Sequence, residues 1–113
     1  MSGRSTKPIS STSFYVLLAL ADAERYGLEI IDEVAARTDG EILLGPGSLY
    51  NAIKRLLTDG AIAETKGTAD ADPRRRYYRI TRRGRERLIS EVRSCERVTR
   101  AARAKNLLGT SSR

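Results

Sequence analysis

Residues 45–60 read Gly-Pro-Gly-Ser-Leu-Tyr-Asn-Ala-Ile-Lys-Arg-Leu-Leu-Thr-Asp-Gly, and the fold turns on this stretch. Pro46 suits the first position of a helix, where its missing N–H leaves no bond unmade. From there Leu49, Ile53, Leu56 and Leu57 recur at helical spacing as one apolar stripe, and Asp59-Gly60 closes the segment. Ser48, Asn51, Lys54 and Arg55 share the opposite side. A helix divided in this way suits the major groove of B-DNA, which is about 12 Å wide and admits one helix. It equally suits an ordinary solvated surface, so a second feature has to decide.

That feature lies downstream. Residues 61–66 (AIAETK) alternate enough to predict a strand, residues 67–73 have the composition of a turn, and residues 76–80 (RYYRI) are aromatic and β-branched. Together they predict a two-stranded hairpin bearing Arg74, Arg75 and Arg76 at its tip or at the base of its second strand. Strand neighbours face opposite sides, so Tyr78 is expected inward with Ile80 and Tyr77 outward. Upstream, residues 10–21 and 26–37 carry helical apolar periodicity, and residues 41–44 (EILL) suggest one brief strand. Three helices followed by a basic hairpin make the winged helix-turn-helix plan. In it the helix over 46–59 meets base edges while the arginines meet phosphate or the minor groove. Asn51 and Arg55 are the side chains suited to adenine and guanine.

Thr81 caps a last helix predicted to reach about Leu108, about 28 residues or roughly 40 Å. Leu88, Val92, Cys95, Thr99 and Ala102 recur at steps of four and three, flanked by Ile89, Glu96 and Arg103. A seam so long and so thinly apolar needs a second helix to cover it, which predicts a dimer. The expected fold is mainly α with a small β-hairpin, a winged helix-turn-helix plus a long C-terminal dimerisation helix. Its expected division is an arm at 1–9, the DNA-binding domain at 10–80, the dimerisation helix at 81–108 and a disordered tail at 109–113.

Charge supports an anionic partner. The 113 residues carry 21 Lys and Arg against 14 Asp and Glu, but the excess is local. Residues 1–73 hold 7 basic and 11 acidic side chains, whereas residues 74–105 hold 13 basic and 3 acidic. Arginine outnumbers lysine, a bias that genome composition alone can produce, so the cluster weighs more than any single Arg. With no His and the lone Cys95, an intramolecular disulfide and a His- or Cys-ligated metal site are excluded, catalysis is left to carboxylates alone, and no enzyme activity, metal or cofactor is expected. No long apolar run or signal-peptide core is present, which predicts a cytoplasmic, nucleoid-associated protein rather than a membrane one. Cys95 reads as a small buried hydrophobe, with a redox switch as the alternative.

Three segments carry a resemblance: Tyr26-Gly27-Leu28-Glu29-Ile30-Ile31, the run from Gly45 to Leu56, and Arg74-Arg75-Arg76-Tyr77-Tyr78-Arg79-Ile80-Thr81-Arg82-Arg83-Gly84. In order and spacing they resemble the PadR-like transcriptional regulators, in the short form with a single C-terminal helix. The resemblance implies a homodimer, usually a repressor, on a pseudo-palindromic operator in double-stranded DNA. It implies that the last helix packs against the partner, including the partner's first helix, which adds Phe14 and Leu17 to the interface candidates. It also implies that Tyr50 and the wing arginines touch phosphate; read from the residues, Tyr50 serves equally as an aromatic at the core edge. The DNA-binding candidates are therefore Ser48, Tyr50, Asn51, Lys54, Arg55, Arg74, Arg75, Arg76 and Tyr77. Two further readings stand beside this one: a winged-helix adaptor for protein or RNA, and a sensor holding a small aromatic effector at the dimer interface near Phe14 and Tyr15.

Overall fold

The computed structural model describes residues 9–108; the predicted arm at 1–9, apart from Ile9, and the tail at 109–113 lie outside them. The elements are α1 (Ser11–Ala19), β1 (Arg25–Tyr26), α2 (Gly27–Arg37), α3 (Pro46–Thr58), β2 (Ile62–Thr65), β3 (Tyr77–Ile80) and α4 (Arg82–Ala104). The architecture is a winged helix-turn-helix with a long last helix. Instead of a two-stranded hairpin there is a three-stranded antiparallel sheet in the order β1-β3-β2. Residues 41–44 form no strand.

Each helix begins and ends for a local reason. The Ser10 hydroxyl accepts the Ser13 N–H at 3.1 Å to start α1. At α2 the Glu29 carboxylate reaches back to the Tyr26 N–H at 3.1 Å, and Pro46 opens α3. Gly60 (φ +74°) closes α3: Ala61 N–H donates to the Leu56 carbonyl and Gly60 N–H to the Leu57 carbonyl, so the turn satisfies carbonyls the helix leaves open. Asn106 (φ +61°) does the same for α4, with Leu107 N–H on Ala102 and Asn106 N–H on Arg103. The last helix therefore stops at Ala104, short of the predicted Leu108, because asparagine tolerates the left-handed conformation that this turn requires.

One core unites the elements. Val16, Leu17, Ala19 and Leu20 of the first segment pack with Ile30 and Val34 of α2, Leu49, Ala52, Ile53 and Leu56 of α3, and Ile62, Tyr78, Ile80 and Leu88. Leu57, expected in the stripe of α3, is instead 37% exposed. Arg25 ties the turn after α1: its Nε donates to the Ala19 carbonyl at 2.7 Å, and its Nη2 faces Asp22 at 3.1 Å and Glu33 at 3.6 Å. At the start of α4, Thr81 Oγ1 accepts the Gly84 N–H at 3.1 Å and donates to the Gly60 carbonyl at 2.6 Å. Gly84 lies so close to the Ala61 carbonyl oxygen that no Cβ fits there. These contacts fix α4 to both α3 and the sheet.

Beyond Leu88, α4 leaves the core. The Cα radius of gyration is 16.0 Å, and the long axis is 53 Å. A compact chain of this length would have a radius of about 13 Å. The excess is consistent with a projecting helix that its own subunit does not cover.

Candidate nucleic-acid interface

On α3, burial sorts the two faces. Leu49, Ala52, Ile53 and Leu56 are buried, while Ser48, Asn51, Lys54 and Arg55 are exposed. Asn51, Lys54 and Arg55 line one shallow depression together with Thr58. Tyr50 is 54% exposed, and its hydroxyl lies over Gly27 so closely that a Cβ there would come within 2.7 Å of it. A glycine at the first turn of α2 thus lets the phenol of α3 lean across to α2.

The wing stands beside this helix because of the sheet. β2 pairs with β3 from Ile62↔Ile80 to Thr65↔Tyr77, and β1 pairs with the other edge of β3 through Arg25↔Tyr78 and Tyr26↔Tyr77. Since β1 runs directly into α2, the sheet joins the wing to the helix-turn-helix. The result is an open groove of about 390 Å³ lined by Tyr26, Gly27, Leu28, Tyr50, Arg74, Arg75, Arg76 and Tyr78. Tyr50 from α3 and the three wing arginines thus meet around one concavity, while Asn51, Lys54 and Arg55 occupy the neighbouring surface of α3.

The arginines are held, not free. The Asp72 carboxylate accepts from Arg74 Nε at 3.2 Å and from Arg74 Nη2 at 3.1 Å, and it receives the Arg74 backbone N–H at 2.9 Å. Arg75 Nε reaches the same carboxylate at 3.4 Å, and its guanidinium carbon sits 4.2 Å from the centre of the Tyr26 ring, a cation–π contact. Arg76 faces Glu64 at 3.8 Å. The Arg74 side-chain hydrogen bond, then its backbone N–H, hold the Asp72 carboxyl below its ordinary value, with Arg75 adding to the effect. Burial, followed by the charge of Glu64, pushes the Tyr78 phenol up.

Tyr77 corrects an expectation. It is 8% exposed, not outward. β3 is the middle strand, so both its edges are paired; Tyr78 and Ile80 point into the core, and Tyr77, on the opposite face, is covered locally by the wing loop. Its ring packs edge-on to Tyr26 at 5.3 Å, its hydroxyl accepts the Asp72 N–H at 3.3 Å, and a Cβ on Gly67 would meet the ring at 2.9 Å. Tyr77 supports the wing and offers no face to a duplex. The groove also holds residues that sequence reasoning left out, namely Tyr26 and Leu28, the latter 60% exposed at the start of α2. The signal for Leu28 was its place off the apolar face of α2.

The candidates for a dimer interface divide similarly. Leu17 is 0% and Leu88 5% exposed, both inside the subunit's own core, so neither is open to a partner. Phe14 is half-buried, edge-on to Tyr15 at 5.5 Å. Val92, Cys95 and Thr99 are exposed along α4 and line a shallow trough with Glu96, Arg100 and Arg103, while Ala102 is half-buried. Cys95 is thus on the surface of the subunit, not in its core. Ile89, which flanks the predicted seam, adds exposed apolar surface, as do Val98, Leu107 and Leu108, which the sequence reading did not assign to the interface. Among the described residues no helix is long and apolar enough to cross a membrane, and no cluster of three His, Cys, Asp or Glu is placed to hold a metal.

Comparison with known proteins gives the geometry its context. A transcriptional regulator from Clostridium thermocellum superimposes with a TM-score of 0.69 at 26% identity, over 85% of this chain and 96% of that one. A PadR family transcription regulator from Clostridium difficile gives 0.69 at 21% identity, over 88% and 100%. BpsR of Bordetella bronchiseptica, whose DNA binding is regulated by 6-hydroxynicotinic acid, gives 0.65 at 19% identity, over 93% and 69%. In sequence, an uncharacterised protein of Lysinibacillus sphaericus is 31% identical over 77 residues, 68% of this chain and 71% of its own length. The model of the transcriptional regulator PadR-like family matches residues 16–90, a span that runs from α1 through the wing into α4. The chain belongs to the PadR-like family of transcriptional regulators, and it is a DNA-binding protein of the winged helix-turn-helix type.

Proposed function

We propose that the chain is a homodimeric repressor that works in the cytoplasm on a pseudo-palindromic operator. Each subunit inserts α3 into the major groove, with Asn51 and Arg55 on base edges and Ser48 and Lys54 on bases or phosphates. Tyr50, Arg74, Arg75 and Arg76 hold the flanking backbone. The observation that carries this reading is the shared concavity, in which Tyr50 of α3 and three wing arginines converge beside an exposed polar helix face. The DNA-binding unit is residues 10–80, and residues 81–108 dimerise through the Val92, Cys95 and Thr99 face, joined by Phe14. Two subunits related by a two-fold axis present two such helices to half-sites about 34 Å apart.

A gel shift on the upstream region of the chain's own gene tests the reading. A complex that weakens steeply with salt is expected, because phosphate contacts release counterions. No salt-sensitive complex, or one that bulk DNA competes away equally well, would refute an operator there. Preference for RNA or for a protein partner over duplex would instead favour the adaptor reading. Ligand control is a second reading, supported by the half-buried Phe14 and Tyr15 pair and by the regulation of BpsR by an aromatic acid. A small aromatic effector would then sit between α1 and the partner's α4. Titration with planar aromatic acids, read as a rise in Tm together with release of DNA, checks it.

A further inference from the structure

Asp72 has no place in the interface just described, yet it is the most engaged side chain of the wing. Both its oxygens face the Nε and Nη2 edge of Arg74, and one also faces Nε of Arg75. That edge of a guanidinium is a flat pair of donors that binds a phosphate with two parallel bonds. A carboxylate and a phosphate cannot both take it. Arg75 is restrained twice, by Asp72 and by the Tyr26 ring.

We infer that Asp72 is an internal competitor for nucleic-acid phosphate: it occupies the donor edges of Arg74 and Arg75 in the free protein, and so weakens and desensitises wing binding to any polyanion. The contacts of Arg74 and Arg75 that hold the Asp72 carboxyl below its ordinary value agree with this. Such a latch acts on the sequence-independent part of affinity, which dominates non-specific binding. It therefore determines how readily the protein settles on DNA that lacks its operator. The inference rests on the DNA-binding reading for its biological meaning, but its chemistry is testable apart from it.

The test is Asp72→Asn in the full chain. Asn keeps an oxygen to accept the Arg74 N–H, so the turn survives while the charge goes. Asp70→Asn is the control: Asp70 is exposed, two residues away and in no ion pair among the described residues, so its loss changes net charge equally and releases no arginine. On random-sequence duplex at about 0.1 M salt, one more phosphate contact strengthens binding about five- to tenfold and steepens the log–log salt slope by about 0.9. Asp72→Asn is expected to show both effects, and Asp70→Asn much less. Arg74→Gln should weaken binding more in the Asp72→Asn background than in the wild type. Equal shifts for the two Asp variants, additive effects with Arg74→Gln, or weaker binding by Asp72→Asn would each overturn the latch. Elution from heparin with salt repeats the comparison without DNA. If wild-type protein shows no salt-sensitive duplex binding, the operator reading falls, while the heparin series still decides the role of Asp72.

Discussion

A single side chain can read sequence or merely hold the backbone, and the two roles separate in measurement. Asn51 is exposed on α3, and in the proposed reading it meets a base edge. Asn51→Ala is expected to relax preference at one operator position, by about 1–3 kcal/mol, as read from a panel of single-base variants. Arg75→Ala with Arg76→Ala should instead weaken all sequences alike and flatten the salt slope. Ser13 offers a stability test away from the interface. It is 2% exposed, and its Oγ is the one buried side-chain polar atom without a partner among the described residues. Ser13→Ala removes that unsatisfied hydroxyl and should stabilise the fold by about 1 kcal/mol, visible as a higher urea midpoint with an unchanged m-value. Titration of Asp72 bears on working conditions as well. Its carboxyl lies below its ordinary value, so the wing ion pairs contribute fully above that value and are lost only as pH falls through the lower, folded one. Above that ordinary value the two pairs that Asp72 makes with Arg74 and Arg75 therefore do not respond to its titration.

Among the elements, the helices were legible in the sequence and the sheet was only half so. Periodicity is a local signal, and α2 and α3 carry it in nearly every turn, with Pro46 and Gly60 as punctuation at the ends of α3. β1 has no such signal. It is two residues long and exists because β3 offers a free edge to Arg25–Tyr26, a tertiary event that no window of sequence contains. The same cause misplaced Tyr77: alternation assigns one face of a strand to water only if nothing covers that face. Leu88 was assigned to a partner because apolar spacing tells that a residue is covered but not which subunit covers it, and Leu17 because the resemblance sets the whole first helix against the partner. The junction between wing and α4 gives the element-scale prediction. Gly84→Ala forces a methyl against the Ala61 carbonyl, which is backbone and cannot turn aside. It should destabilise the domain by about 3 kcal/mol or more, whereas Thr81→Ala, losing a cap, should cost about 1 kcal/mol. Thermal unfolding of the two variants measures both.

At the scale of the whole molecule, the outer half of α4 lacks cover from its own chain, and the proposed second copy would supply it. Its 53 Å long axis accompanies a helix whose outer half bears Val92, Cys95, Val98 and Thr99 on its surface. Val92→Glu puts a charge in the trough of α4 without touching the core. Sedimentation at micromolar concentration is expected to show a shift from dimer to monomer. Operator affinity should fall by far more than affinity for a single half-site. A variant that remains a dimer would mean that another surface joins the subunits.

β1 carries a consequence of a different kind. The strand is continuous with α2 at one end and hydrogen-bonded to β3 along its side, so in the proposed reading the helix-turn-helix and the wing approach DNA as one jaw. A jaw of fixed gape measures. One added base pair displaces the flank by about 3.4 Å and rotates it around the axis. Inserting that pair between the bases under α3 and the phosphates under the wing should abolish recognition outright, where a hinged clamp would follow the DNA and forgive it.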